Sequence, residues 1–380
     1  MQPQLADPSR RLIGLDVLRF VAVTLVLHVH ALLGFGQFPS GEPSGFLGRL
    51  LDVIPPGMHG VDLFFVLSGF LVAGLFFKEL SRTGTVSVGR FLIRRGFKIY
   101  PPFWLLILVT VAFQHRQTGS INWRGLLAEL GFVQNYLAGL WPHTWSLAVE
   151  EHFYLILAGL FFLLKRRAGA DGTLSLRTIP RVFGVLVLSC LMARILTWWF
   201  DTGGGLEVER WLVSVTHVRL DALFFGVWLA YFWYRRWDDG TKAKLLAYRP
   251  LWAVLGLLLI SPLSLHFVSV PVWRVIGFNV VYAGAGCLLL AALSLDAGRV
   301  PAWCRGLAWL GRHSYSVYLW HLLVLEWMRP VLGAQSSGPG VFLMKEGAYF
   351  VGSWLCGVLA ARVVEFPTLR LRDRLFPAKG

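Results

Sequence analysis

Hydrophobic residues recur along this chain in ten long runs separated by short polar segments. The runs cover residues 14–35, 61–77, 101–114, 144–164, 179–200, 217–234, 250–267, 271–295, 314–333 and 340–363. Each is near the length that an α-helix needs to cross a bilayer, although the third is short. The pattern predicts an all-α fold: one polytopic membrane bundle of about ten transmembrane helices over residues 1–380.

Positive charges fall unevenly on the segments between these runs. If the amino end is cytoplasmic, the inner segments hold about 26 Lys and Arg residues and the outer segments about seven. Cytoplasmic segments of membrane proteins carry such an excess, so both termini are predicted to be cytoplasmic. The net charge of +15 therefore indicates topology and contact with membrane lipids. It argues against a nucleic-acid partner, because no single soluble face collects the charge.

Two stretches do not fit the simple pattern of spans. Residues 126–141 are moderately apolar but contain Glu129 and Asn135, which favours an interfacial or re-entrant piece over a crossing. Glu365 and Pro367 are interpreted as a helix stop, and the basic tail after them as a solvated cytoplasmic end. We expect no appended soluble domain. The four cysteines show no paired spacing, so neither a disulfide framework nor a metal site is expected.

The first hydrophobic run carries ionisable side chains, which are costly inside a bilayer and are functional candidates for that reason. Arg19 and His30 are eleven residues apart, which places them on nearly the same helix face about 16 Å apart along the axis. Asp16 shares that face, whereas His28 lies about 160° away from His30. The run thus predicts a polar stripe with a cation near one end and an imidazole deeper in.

A basic cluster precedes the third run. Arg94, Arg95 and Lys98 are spaced to gather on one side of a helical segment, where they could hold phosphate groups. Pro101 and Pro102 follow, and prolines suit the first turn of a helix, so the span is expected to begin there. The alternative is a positive-inside anchor that touches anionic lipid.

The fourth run opens with a second polar face. Ser146, Glu150 and Tyr154 recur every four residues and so line one side, while Glu151 points about 100° away. The alternative is a wet helix end at which Tyr154 and Trp145 act as interface anchors.

Two later stretches give weaker signals. Arg219 and Asp221 open the sixth run and are expected to neutralise each other or their neighbours as a structural ion pair. Ser314, Tyr318 and His321 share roughly one face of the ninth run, where His321 is either a satisfied buried histidine or a ligand-binding one.

Taken together, these stretches resemble acyltransferase family 3, the integral membrane O-acyltransferases. The resemblance rests on the order of seven features: the Arg19 to His30 spacing, Gly60-Val-Asp62 to Ser68-Gly69, Arg94 to Lys98, Trp145 to Tyr154, Arg219-Leu-Asp221, Ser314 to His321, and Glu365-x-Pro367. One position departs from the family pattern, because Lys98 stands where an arginine is usual. Lysine keeps the charge but loses the planar fork that binds phosphate in two places.

The resemblance implies transfer of an acyl group, most often acetyl, from cytoplasmic acetyl-CoA to a hydroxyl of a carbohydrate or glycolipid acceptor. It implies a multi-pass protein of the bacterial cytoplasmic (inner) membrane, here in a form without an added domain. The acceptor, the acyl group, the acceptor's side of entry and the oligomeric state stay open.

A mechanism follows as a hypothesis. Arg94, Arg95, Lys98 and Arg19 bind the phosphates of the coenzyme, and its pantetheine arm runs along the stripe toward His30 in a common hydrated tunnel.

His30 then deprotonates the acceptor hydroxyl as general base, because imidazole titrates near neutral pH. Glu150 orients His30 or stabilises its charged form, and Asp16 steadies Arg19. Ser146, Tyr154 and His321 are assigned to substrate binding.

Three alternatives remain at this point. His30 could itself be acylated and relay the group across the membrane. The chain could be a transporter or flippase whose Arg19, His30, Glu150 and His321 line a pathway. It could also be a catalytically inactive membrane sensor.

Overall fold

The computed structural model describes residues 12–36, 59–167, 174–200, 211–261, 271–297 and 300–377. These residues form helices and contain no β-strand. The helices are α1 (Ile13–Phe35), α2 (His59–Thr83), α3 (Val88–Thr118), α4 (Trp123–Leu130), α5 (Trp145–Arg166), α6 (Thr178–Trp199), α7 (Leu220–Tyr231), α8 (Asp239–Ala247), α9 (Arg249–Ile260), α10 (Pro271–Leu293), α11 (Ala302–Gly311), α12 (Ser314–Leu332), α13 (Pro339–Ala360) and α14 (Phe366–Leu375).

Within the described ranges, seven helical segments are long and apolar enough to cross a membrane, or eight if α8 and α9, bent by 65°, form one span. The predicted all-α fold is confirmed, and the protein is a multi-pass membrane protein. The count of ten spans and the location of the termini stay predictions. The predicted outer segments at 37–58 and 201–210 lie outside the described residues.

The chain divides into two compact units. The first comprises residues 1–67, 238–273 and 277–359, and the second comprises residues 68–237, 274–276 and 360–380. The border falls inside α2, after Leu67, and at the end of α13, after Leu359.

In the first unit, α1 packs against α11 and α12. The contact with α11 is close, because a Cβ atom built on Gly311 would lie 1.8 Å from the backbone oxygen of Asp16. Only glycine fits at this approach. The start of α1, which carries Asp16 and Arg19, is therefore held by a neighbouring helix.

In the second unit, the prediction that a helix begins at Pro101 is wrong. Helix α3 begins at Val88 and runs for 31 residues through both prolines. A proline at position i removes the donor to the carbonyl of residue i−4, here Phe97 and Lys98. Membrane helices tolerate this loss where neighbouring groups satisfy the freed carbonyls. The basic cluster therefore lies on the same continuous helix as the apolar run that follows it.

Residues 126–141 contain only the short helix α4, whose eight residues cannot cross a bilayer. The buried carboxylate of Glu129 holds the turn that follows: its Oε1 accepts hydrogen bonds from the backbone N–H groups of Leu140 and Trp141 and from the Thr144 hydroxyl. Burial raises the pKa of Glu129 from its ordinary 4.5 to about 7, although these three hydrogen bonds oppose the shift.

The interpretation of Glu365 and Pro367 as a helix stop is also wrong. A π-helical turn at Ala361–Glu365 leads directly into α14, with Pro367 in its first turn, where no backbone donor is needed. Helix α14 packs against α3. The basic tail thus forms a helix that contacts α3 on one side, while residues such as Arg370 and Arg374 stay exposed.

Candidate functional site

Candidate residues occur in both units, and each group is described within its own unit. In the first unit, the side chains of His30 and His321 meet, with ring centroids 4.9 Å apart in an edge-to-face arrangement. The Tyr318 ring lies 5.6 Å from the His321 ring. We call these three residues the histidine cluster. Sequence spacing placed Tyr318 and His321 on one face, and the structure adds that this face meets His30.

Both imidazoles in the histidine cluster are held by backbone carbonyls. Nδ1 of His30 lies 2.8 Å from the oxygen of Val26, and Nδ1 of His321 lies 2.5 Å from the oxygen of Tyr318. A carbonyl oxygen can only accept, so each Nδ1 carries the proton. In neutral His30 this leaves Nε2 with its lone pair, which is the state that a general base requires.

Asp16 and Arg19 form an ion pair at the start of α1, with Nη1 of Arg19 2.5 Å from Oδ1 of Asp16. The side chain of Asp16 is buried, whereas that of Arg19 is 24% exposed. The structure therefore has the predicted Asp16–Arg19 contact, and part of the Arg19 side chain stays exposed.

His28 lies in a different environment, as its helical position predicts. Its Nδ1 is 2.5 Å from Oε1 of Glu346 on α13, and both side chains are largely buried. Glu346 is a partner residue that was not predicted from the sequence. Its position in the last hydrophobic run could have indicated a role, because a buried carboxylate in a membrane span needs a polar partner.

In the second unit, Glu150 and Tyr154 meet one helical turn apart. The Tyr154 hydroxyl donates to Oε2 of Glu150 at 2.9 Å and lies 3.0 Å from the hydroxyl of Ser68. The Arg95 guanidinium stands over the Tyr154 ring, 5.4 Å from its centroid. The charges of Arg95 and Lys98 both act on Glu150. We call Ser68, Arg95, Lys98, Glu150 and Tyr154 the carboxylate cluster.

Two neighbouring groups border this cluster. The Tyr100 hydroxyl donates to Oε2 of Glu151 at 3.1 Å, so α3 contacts Glu151 as well as placing the charges of Arg95 and Lys98 near Glu150. Ser146 donates its hydroxyl hydrogen to the backbone oxygen of His143 at 3.3 Å. A cation and a tyrosine beside each carboxylate make this part of α5 able to hold a polar ligand inside the bundle.

Arg94 separates from the other two cations of the basic cluster. Its Nη2 lies 2.9 Å from Oδ1 of Asp373 on α14, and its Nη1 donates to the backbone oxygen of Phe376. Arg94 and Arg95 are adjacent in sequence and so point about 100° apart on a helix. The expected gathering on one side thus joins Arg95 with Lys98, whereas Arg94 faces α14.

The ion pair at the start of α7 also differs from the simplest expectation. Both oxygens of Asp221 lie 2.7 Å from Nη2 of Arg194, a fully buried residue of α6. The Arg219 guanidinium instead lies over the Trp145 ring, 5.8 Å from its centroid. Asp221 is therefore neutralised mainly by Arg194 of a neighbouring helix, which agrees with the expectation that Arg219 and Asp221 pair with each other or with their neighbours.

Within the described part of the chain, no three His, Cys, Asp or Glu side chains converge as a metal site would require. The four cysteines are free thiols.

Comparison with known proteins gives the family. The profile of the acyltransferase domain family, Acyl_transf_3, matches residues 12–362. The "Putative O-acetyltransferase SACOL0978" of Staphylococcus aureus strain COL is 27% identical over 350 residues, and O-acetyltransferase OatA of Staphylococcus aureus strain NCTC 8325 is 26% identical over 339 residues. Both alignments cover 83% of this chain but 51% of the relative, so the chain spans about half the length of these proteins. No solved structure matches. Because the profile covers nearly the whole chain, this protein belongs to the Acyl_transf_3 family of acyltransferase domains.

Proposed function

We propose that this protein is a membrane O-acyltransferase of the bacterial cytoplasmic membrane. It moves an acyl group, acetyl in the simplest case, from cytoplasmic acyl-CoA to a hydroxyl of a carbohydrate or glycolipid. Membership in the family and similarity to proteins named O-acetyltransferases support the reaction class. The donor and the acceptor class follow from the family resemblance.

The observation that carries the proposal is the state of His30. Its Nδ1 proton is fixed on the Val26 carbonyl, which leaves Nε2 as a proton acceptor on a membrane-spanning helix. A hydroxyl is a weak nucleophile until a base removes its proton, and imidazole is well suited to do so near neutral pH.

The reaction balances with His30 as the base. Nε2 takes the proton of the acceptor hydroxyl while the hydroxyl oxygen bonds to the thioester carbonyl carbon. The carbon–sulfur bond then breaks, and the leaving thiolate takes the proton from Nε2 to give free coenzyme A. His30 is thereby restored for the next turnover.

The other candidate residues take supporting roles. Arg95 and Lys98 supply positive charge for the phosphates of the donor, and Arg19, steadied by Asp16, supplies a further cation. Glu150 and Tyr154 form a hydrogen-bonded pair that suits contact with polar substrate groups, as does the His321 imidazole beside His30.

The test is release of free coenzyme A from acetyl-CoA by the purified protein, with a glycan extract of the producing cells as acceptor. We expect His30→Ala to lower kcat by about 10²- to 10⁴-fold, the usual contribution of a general base. His115→Ala is the matched control, since His115 is an exposed histidine at the end of α3. Partial rescue of His30→Ala by added imidazole would identify the lost group as the base.

Two results would contradict the proposal. Wild-type turnover in His30→Ala would exclude His30 as the base. Acceptor movement across vesicles without coenzyme A release would favour a transporter. Labelled donor given without acceptor separates the two acyl-transfer routes: a trapped acyl-His30 indicates a relay, and rapid turnover without any trapped adduct indicates direct transfer.

A further inference from the structure

Three guanidinium groups meet where α14 docks on the start of α3, and we call Arg90, Arg94 and Arg372 the arginine cluster. Arg90 and Arg94 are one turn apart on α3, and Arg372 lies on α14. The charges of Arg90 and Arg372 both act on Arg94. All of these residues belong to the second unit.

One carboxylate contacts this cluster among the described residues. Oδ1 of Asp373 lies 2.9 Å from Nη2 of Arg94, and the Arg372 guanidinium grips the same carboxylate through Nε and Nη2 at 3.0 and 3.1 Å. Two of the three guanidinium groups contact this carboxylate, so the three positive charges of the cluster exceed its one contacting negative charge by two. Like charges repel one another at short range. Binding of a further anion would therefore lower the electrostatic free energy of the cluster.

Two further donors of the cluster have neutral acceptors as partners. Arg94 donates to the backbone oxygen of Phe376, and Arg90 donates to that of Pro377 at 3.3 Å. Both acceptors are neutral carbonyls of the segment that ends α14. Charge-assisted hydrogen bonds to an anion are about twice as strong as bonds to a neutral acceptor, so a phosphate would compete well for these guanidinium groups.

The cluster is accessible at the protein surface. The Arg94 and Arg372 side chains are 23% and 18% exposed, and the Asp373 side chain is 54% exposed, so the carboxylate can move aside without becoming buried. The Phe97 and Phe376 rings, with centroids 5.8 Å apart, keep the segment that ends α14 in contact with α3 when the carboxylate moves. Planar guanidinium forks converging from two helices are the geometry that binds phosphate oxygens pairwise.

We propose that Arg90, Arg94 and Arg372 form one phosphate-binding site shared by α3 and α14, in which Asp373 is the competitor that the phosphate displaces. Resting on the proposed function, the ligand would be the phosphate-bearing end of the acyl donor, which is anchored there while its thioester reacts elsewhere. Anionic lipid headgroups present the same phosphate chemistry.

The experiment measures binding of coenzyme A, which carries the phosphates but no acyl group, to the full chain in nanodiscs of phosphatidylcholine. We expect Arg372→Gln to weaken binding about tenfold, the loss of one charge-assisted contact. Asp373→Asn should have the opposite sign and tighten binding severalfold. Arg374→Gln, at an exposed arginine of the same helix, should leave it unchanged.

The opposite signs separate a binding role from a structural one. If the contacts only docked α14, both Arg372→Gln and Asp373→Asn would weaken binding and lower the unfolding temperature together, and the proposal would fail. Equal affinity for coenzyme A in all variants would also overturn the proposal that the site binds the donor. In that case, nanodiscs that contain phosphatidylglycerol test the lipid source, by whether Arg372→Gln selectively loses bound phosphatidylglycerol. That result would assign the phosphate site to a lipid headgroup.

Failure of the phosphate site and failure of the proposed function give different results. Intact coenzyme A binding with no acyl transfer to any acceptor would contradict the proposed function and leave the phosphate site standing. Normal transfer with unchanged KM for acetyl-CoA in Arg372→Gln would contradict the site and leave the function standing.

Discussion

His28 and His30 are two residues apart on α1, yet they differ in what holds them. His28 is buried and shares a 2.5 Å contact with the Glu346 carboxylate. His30 is half-buried, rests its Nδ1 on the Val26 carbonyl and faces the imidazole of His321. The same residue type is thus paired with a carboxylate through Nδ1 in one position and held by a backbone carbonyl through Nδ1 in the other.

The difference shows why a histidine in a span is not by itself a catalytic signal. A carboxylate partner neutralises a charged imidazole and locks it in the packing, whereas a backbone carbonyl fixes only the ring orientation and the tautomer. We expect the His28 side of α1 to contribute mainly to stability and the His30 side to carry the proposed chemistry, and each expectation can be tested.

The largest effect is expected from Glu346→Ala. Removing one partner of a buried pair leaves the other charge or donor unpaired, which costs about 3–5 kcal/mol. We expect a lower unfolding temperature in detergent, measured by the fluorescence of the many tryptophans. Turnover per folded molecule should stay near the wild-type value, because this face of α1 does not meet the histidine cluster.

The control is Glu326→Ala, at a half-exposed carboxylate of α12 whose nearest cation, Arg329, is 3.7 Å away. Such surface pairs contribute little. The double variant His28→Leu with Glu346→Leu should recover much of the lost stability. A loss of kcat in Glu346→Ala without a change in unfolding temperature would place this pair in the chemistry and break the comparison.

Glu129 extends the comparison to a buried carboxylate without a histidine partner. Its pKa of about 7 in the folded chain exceeds the ordinary 4.5, so between these values the folded state binds more protons than the unfolded state. The stability is therefore fully present below pH 4.5 and falls as pH rises to about 7, by up to about 3 kcal/mol. Unfolding temperatures across pH 5 to 8 measure this slope.

Glu129→Gln should abolish that part of the slope, because the amide keeps an acceptor oxygen for the Leu140, Trp141 and Thr144 donors but does not ionise. Glu129→Ala should lower stability at every pH, since three donors lose their acceptor. The prediction fails if the slope of unfolding temperature against pH is the same in Glu129→Gln, in Glu326→Gln and in the wild type. Other titrating groups would then cause the slope.

The smallest effect is expected on the His30 side, from His321→Phe. The substitution keeps a ring against His30 but removes the second imidazole, and we expect kcat/KM to fall about tenfold, as for the loss of one hydrogen-bonding contact. The pH profile of kcat/KM should shift, because a titratable neighbour of the base is gone. An identical profile with only a lower unfolding temperature would make His321 a packing residue.

Much of the local structure was predictable from the sequence. The hydrophobic runs located the long helices, and helical spacing placed Arg19 beside Asp16 and Tyr154 beside Glu150. Two failures concern proline. Pro101 and Pro102 were expected to start a helix, yet α3 continues through both, which a membrane helix tolerates where neighbouring groups satisfy the freed carbonyls. Pro367 was expected to mark a helix stop, yet it lies in the first turn of α14.

The amino-acid sequence by itself determined which segments become helices and which side chains share a helix face, because both follow from the length of the apolar runs and the fixed turn of the helix. Only the tertiary structure decided which faces meet. Glu346 is 318 residues from His28, and Asp373 is 279 residues from Arg94. Such contacts depend on how helices pack against one another, and no periodicity within a single helix encodes its partner.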